Sequence, residues 1–315
     1  MTDRQTDRQT DRQTDRRTDR GFITIATGKV FYPLAKHLYM TYKLNSNGNY
    51  PFYCLTDGDG MKELEGYFDN LIEMKNPSYS YLDKLKLAEY ACFEETVFID
   101  ADSSVIDDIS YIFDILNNMN YAVTAIGNTF DCSDIKHSPS FDKTLLTENG
   151  INYYVTFNGG VYIFKNNEES RKIFEYAQNA IELYQQYKMP NYSRGVGDEP
   201  LMQLAMSNYG CKAIEMKDSK DFSLCLVNYS DLQVDVVNRK CSFYKNGHLR
   251  TPKILHWGTE LTQILPQYGI EYLKAKKAYM HKKATINMLE NIGIHISAFF
   301  RKAKYKIKSM KRNHE

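Results

Sequence analysis

No stretch of this sequence approaches the ~18 consecutive apolar residues of a membrane-spanning helix, and the N-terminus carries no hydrophobic signal region. A cytoplasmic protein is the expectation. The 6 cysteines, Cys54, Cys92, Cys132, Cys211, Cys225 and Cys241, include no Cys-x-x-Cys pair and no zinc-like cluster. Reduced thiols in apolar surroundings are therefore expected. No Gly-x-Gly-x-x-Gly opens a helix after a strand and there is no Walker loop, which argues against a Rossmann dehydrogenase or a P-loop enzyme. Net charge is also missing, at +1 overall.

What is present is ordinary globular composition, 43% apolar and 25% charged, in a chain of 315 residues that can bury a full core. The near-zero charge hides an asymmetry. From Glu271 to Glu315 there are 12 Lys/Arg against 3 Asp/Glu, so the tail carries +9 and the remainder −8. Within it Leu289, Ile292, Ile296, Phe299 and Phe300 form an apolar stripe flanked by Lys302, Lys304, Lys306, Lys308, Lys311 and Arg312. Basic amphipathic helices are expected after residue 266, with 289–312 suited to an anionic membrane surface and nucleic acid not expected as a partner.

Residues 2–20 repeat Thr-Asp-Arg-Gln with small lapses, a four-residue period with nothing apolar, so no core forms there. A tetranucleotide repeat read in any frame encodes such a peptide, and the folded protein is expected to begin near Gly21. Phe22–Ala26 reads as a first strand, followed by a turn at Thr27-Gly28-Lys29. A helix from Pro33 places Leu34, Leu38 and Tyr42 on one face. Pro51–Leu55 reads as a second strand, and Asp57-Gly58-Asp59-Gly60 as turn chemistry, since no Glu closes a calcium loop. A helix over Tyr81–Tyr90 turns Leu82, Leu85 and Ala88 inward. After a polar break at Asn158-Gly159-Gly160 comes another strand, then an amphipathic helix over Glu168–Tyr187 and a helix opened by Gly197-Asp198-Glu199-Pro200, with Asp198 as a ready N-cap. Lys212–Met216 and Lys253–Trp257 read as late strands, the second delivering His256 to a strand end. Alternating strands and helices imply a mostly parallel α/β domain over 21–265.

The centre of this pattern is Thr96–Val105. A buried strand running into Asp100-Ala101-Asp102 delivers two carboxylates to the carboxyl edge of a sheet, where open α/β folds bind ligands. Two acids so close repel unless a cation lies between them, and a divalent ion carrying a phosphate group suits the place.

In order and spacing these motifs resemble a GT-A-fold nucleotide-sugar glycosyltransferase, closest to family 8, over residues 21–260. The resemblance implies a hexose moved from a UDP-sugar donor to a hydroxyl acceptor (glycan, lipid-linked or protein), with Mn²⁺ or Mg²⁺ and retention of configuration. It implies that Ile25, Thr27 and Phe31 line the uridine, that Lys84 reaches the donor phosphates, and that Asp100-Ala101-Asp102 is the DxD motif. Asp102 and His256 then bind the metal, and Asp100 binds metal and ribose. Asn158-Gly159-Gly160-Val161 is similar to the sugar-binding segment, with Asn158 and Gly160 on the donor. Asp198-Glu199 stands where the family has Asp-Gln, the candidate catalytic positions, and Gly258 follows the closing histidine. Glu199 in place of Gln leaves three roles open: nucleophile, general base or sugar-hydroxyl acceptor. The family's Lys-Pro-Trp after that histidine is absent; Gly258 leads into Thr259-Glu260-Leu261. Two alternatives compete. Asp100 and Asp102 also resemble the nucleophile motif of haloacid-dehalogenase-type phosphatases, and a non-catalytic membrane-peripheral binding protein would need only the tail.

Overall fold

The protein is described from a computed structural model, which covers residues 19–47, 50–134, 136–192, 195–215, 217 and 221–312. Nearly all of the Thr-Asp-Arg-Gln repeat lies outside these residues, as do the side chains of Lys308, Lys311 and Arg312. The chain forms two compact units. The first comprises the described residues of 1–35, 48–101 and 110–222, the second those of 36–47, 102–109 and 223–315.

The first unit is built on a six-stranded sheet of β1 (Arg20–Ala26), β2 (Phe52–Thr56), β3 (Asn70–Glu73), β4 (Glu95–Ile99), β5 (Val123–Thr124) and β6 (Val161–Lys165). Its spatial order is β3-β2-β1-β4-β6-β5. β3, β2, β1 and β4 are parallel, and β6 alone is reversed against β4 and β5. β1 and β4 are central and covered on both faces, which is why each reads as a continuous apolar run with no alternation. β1 starts at Arg20, whose guanidinium pairs with Glu95 at 2.7 Å, so the strand takes in the last residue of the repeat. The sheet is mixed α/β and mainly parallel, as expected.

Three local expectations need revision. Tyr81–Tyr90 is a 3-10 helix, and the Leu82, Leu85, Ala88 spacing of three is indeed its period, not that of an α-helix. The amphipathic helix expected to reach Tyr187 ends at Asn179 and tightens into a 3-10 turn over Ala180–Leu183. Asn179 is a poor interior residue because its amide competes for backbone groups. Asp57 does more than fill a turn: it is the N-cap of a short helix, Gly58–Glu63, and accepts from Gly60 N at 2.8 Å.

In the second unit Ile254–His256 lies between Ser103–Val105, antiparallel to it, and Ser223–Cys225, parallel to it. A three-stranded antiparallel sheet follows from Tyr229–Asp235, Lys240–Lys245 and His248–Arg250. The Asn45 amide donates to the carbonyls of Val105 and Val236, at 2.8 and 2.9 Å. Helices run over Thr259–Ile264, Pro266–Tyr279 and Met288–Arg312. Of the cysteines, Cys54, Cys132 and Cys241 are buried as expected, whereas Cys92 is exposed.

Beneath these strands His37 is fully buried, with Nε2 2.7 Å from Ser104 Oγ and its ring against Tyr268 and Tyr272. Nδ1 has no hydrogen-bond partner, so a second proton there would go unsatisfied. Burial accordingly lowers its pKa from 6.5 to about 3. The unfolded chain binds this proton below pH 6.5 and the folded chain does not, so the stability it supports is present above pH 6.5 and is lost as pH falls toward 3. Replacing His37 by Phe should flatten the pH dependence of urea unfolding between pH 6.5 and 4 by up to about 1.4 kcal/mol per pH unit. An unchanged slope would mean that His37 protonates in place.

Candidate active site

β1, β2 and β4 are parallel neighbours, so their carboxyl ends share one edge of the first unit. β1 ends into Thr27 and Gly28, β2 into Asp57, and β4 into Asp100; reversed β6 begins there, just after Asn158-Gly159-Gly160. Asp100 N donates to Gly160 O at 2.9 Å, fastening the strand end to this turn.

One cluster at this edge surrounds Lys84. Its ammonium lies 2.7 Å from Asp100 Oδ2 and 3.4 Å from Asp198 Oδ2, and donates to Gly159 O at 3.1 Å. Its side chain is 12% exposed and those of the two acids 20% and 6%. The expected assignment of Asp198 as an N-cap is corrected: Gly197 caps the helix Asp198–Asn208 and Asp198 is its first helical residue. Its carboxylate is thereby turned to Lys84 and to the hydroxyl of Tyr162, which donates to it. Burial, then the Asp198 charge, raise the Tyr162 pKa well above its ordinary value, so the phenol stays a donor. Asp198 and the next residue, Glu199, both sit in the first turn of this helix, where its dipole favours negative charge.

Glu199 Oε2 accepts from Gly159 N at 2.7 Å and lies 3.5 Å from Asn158 Nδ2, while Asn158 Oδ1 accepts from Gly160 N at 3.2 Å. Asn158 is itself exposed. A Cβ on Gly159 would lie 3.0 Å from both Asp198 Oδ2 and the Tyr162 hydroxyl, so glycine lets the turn approach them.

A second set of contacts shapes the loop after β1. Gly28 adopts φ 93°, a left-handed conformation that glycine supplies cheaply, and its N–H donates to Asp57 Oδ2 at 2.6 Å. Tyr32 OH donates to the other oxygen of Asp57. Thr27 Oγ1 donates to buried Asp83 at 2.9 Å, and Asp83 also accepts from Ser78 N, Ser78 Oγ and Tyr79 N. Ile25 is buried in the core at the end of β1, and Phe31 is half-buried, with its N–H on Gly28 O at 2.9 Å.

In the second unit His256 Nε2 lies 3.0 Å from Asp102 Oδ1, both side chains no more than 10% exposed. Thr259 Oγ1 donates to Asp102 Oδ2 at 2.8 Å, and Trp257 N to Asp102 O at 3.1 Å. The strand pairing explains the meeting, because His256 is opposite Ser103, next to Asp102, across the antiparallel ladder. Burial works against a charged His256, but the Asp102 carboxylate and the Cys225 side chain outweigh it and hold its pKa well above 6.5. Gly258 makes the next turn at φ 77° and caps the helix that starts at Thr259.

Asp57, Asp83, Tyr162 and Thr259 are the site-supporting residues that sequence reasoning missed. Asp83 precedes Lys84 in the Tyr81–Tyr90 helix, and that place beside Lys84 was the one available signal.

A family model described as glycosyl transferase family 8 matches residues 49–207, about half of the chain. No curated protein matches it.

Proposed function

The chain belongs to glycosyl transferase family 8, and on that premise we propose that it moves a hexose from a UDP-sugar to a hydroxyl acceptor with retention at the anomeric carbon. A glycosyltransferase needs a nucleotide-sugar donor and an acceptor, and the mixed, mainly parallel α/β fold is GT-A-like. Membership of this family sets aside the phosphatase reading of Asp100.

The observation that carries the finer proposal is the contact of Asp102 with His256, two ligand-type side chains far apart in sequence and buried together. Asp100, one residue removed from Asp102 in the chain, supplies a third side chain of ligand type. Two carboxylates and an imidazole fit Mn²⁺ or Mg²⁺ and do not resemble a thiolate-rich zinc or iron site. When bound, the ion neutralises charge on the leaving diphosphate. Asp102 and His256 would hold it, with Asp100 shared between metal and ribose, and Thr259 fixes the second oxygen of Asp102. A carboxylate that already has one oxygen bonded loses less freedom on binding.

Lys84 is proposed to meet the donor phosphates, Ile25, Thr27 and Phe31 the uridine, and Asn158 with Gly160 the sugar. Gly258 would bring backbone close to the diphosphate. Asp198 is held by Tyr162 and Lys84, with Glu199 beside it, which favours the pair as the groups facing the reacting sugar.

For Glu199 the contact with Gly159 N favours a positioning role over a nucleophilic one. A glutamine retains an oxygen for that N–H. Glu199→Gln should therefore keep kcat within about tenfold of the parent, whereas Glu199→Ala, which leaves the N–H unsatisfied, should lose more. A loss of about a thousandfold or more in Glu199→Gln, with donor KM unchanged, would assign the charge itself to the chemistry.

A further inference from the structure

The helix Met288–Arg312 presents two opposed faces. One meets the second unit: Ile294 sits so close to Gly269 that a Cβ there would be 2.8 Å from its Cγ2, Ala298 is buried, and Tyr305 OH donates to Glu260 at 2.6 Å. At about 100° per residue these three positions fall on one stripe. Lys277 pairs with Glu290 at 2.7 Å at the start of the helix. About half a turn away lie Leu289, Ile292, Ile296, Phe299, Phe300 and Ile307, each between 43% and 80% exposed. The most apolar face of the helix thus points away from the unit it packs on. A soluble helix packed on a protein does the reverse.

The cations are placed with respect to that face. Lys304 flanks one side of the stripe and Lys302 and Lys306 the other, all three exposed. No described helix is long and apolar enough to cross a membrane. An apolar stripe bordered on both sides by lysines is the arrangement of a helix that lies in the plane of a bilayer surface.

We propose that Met288–Arg312 lays its Leu289–Ile307 face into an anionic bilayer, apolar side chains among the acyl chains and lysines on the headgroups. The occupant is a membrane and not a soluble partner because both halves of its chemistry are matched: an apolar interior for the stripe and negative charge at its margins. The charge balance agrees, since the segment from 271 on carries +9 and the rest of the chain −8, so only the tail is drawn to anionic lipid. This proposal is independent of the catalytic reading.

The test is co-sedimentation of the full chain with phosphatidylcholine vesicles, with and without phosphatidylglycerol. The protein should pellet with the anionic vesicles, and raising the salt should weaken this. The Phe299→Ser/Phe300→Ser double variant should lose at least about tenfold in partitioning, and the Lys302→Gln/Lys304→Gln/Lys306→Gln variant at least as much. Unfolding midpoints should be unchanged, because these side chains face away from the unit. Equal pelleting with neutral and anionic vesicles would overturn the proposal, as would a phenylalanine variant that binds like the parent. So would a concentration-dependent dimer that the phenylalanine variant abolishes while vesicles bind neither form; the face would then belong to a second copy of the chain.

Discussion

Asp102→Asn should lower metal-dependent transfer by about a thousandfold or more and remove measurable Mn²⁺ binding, while the chain stays folded. The carboxylate of Asp102 has two tasks. One oxygen faces His256 Nε2 at 3.0 Å, and the other accepts from Thr259. An asparagine can still accept the Thr259 hydroxyl, and its backbone carbonyl still takes the Trp257 N–H, so the local fold survives. Without the carboxylate, His256 can shed its proton instead of standing charged and unpaired. What asparagine cannot do is supply a negative ligand. A Lewis-acid contribution of several kcal/mol corresponds to about a thousandfold in rate. Calorimetric Mn²⁺ titration separates this from unfolding. A variant that binds Mn²⁺ as the parent does would remove Asp102 from the metal.

Lys84→Met should destabilise the protein by about 3 kcal/mol and also cost at least about a hundredfold in kcat/KM. An ammonium near two carboxylates and a carbonyl, on a side chain 12% exposed, is unlike a solvated helix lysine. Methionine preserves the length and much of the packing of the stem while deleting the charge, so Asp100 and Asp198 lose the cation they both face. The asymmetry between making a buried ion pair and breaking one sets the size of the stability effect. The rate effect has a separate origin, in a cation withdrawn from a leaving group that gains negative charge. Urea unfolding reads the first and donor kinetics the second. Stability within about 0.5 kcal/mol of the parent would return Lys84 to the class of solvated surface lysines.

These two residues also mark what a sequence can and cannot convey. β4 was legible because a strand buried on both faces is a continuous apolar run, and Asp100 because an acid at its end interrupts that run. The Tyr81–Tyr90 helix was legible in extent, and its type lay in the three-residue apolar spacing. Asp57 was read as turn chemistry because an N-cap and a turn use the same residue types; its bond to Gly28 exists only because β1 and β2 are parallel neighbours. Thr259 followed the same logic. It stands where the family's Lys-Pro-Trp is missing, and its bond to Asp102 depends on the ladder between Ser103–Val105 and Ile254–His256. Tyr162 lies in a buried strand of apolar residues, and only the placement of Asp198 at the first helical position gives its hydroxyl a partner. Contacts between residues remote in sequence leave no periodic trace, so they were missed even where each element was found.

The central claim is a metal-dependent UDP-sugar transferase. The most direct measurement is release of UDP from a panel of UDP-sugars by the full chain, with Mn²⁺ and after chelation. The account predicts that at least one donor turns over with Mn²⁺ and falls to background when the ion is removed. No turnover of any sugar nucleotide under either condition, together with no UDP binding, would contradict it.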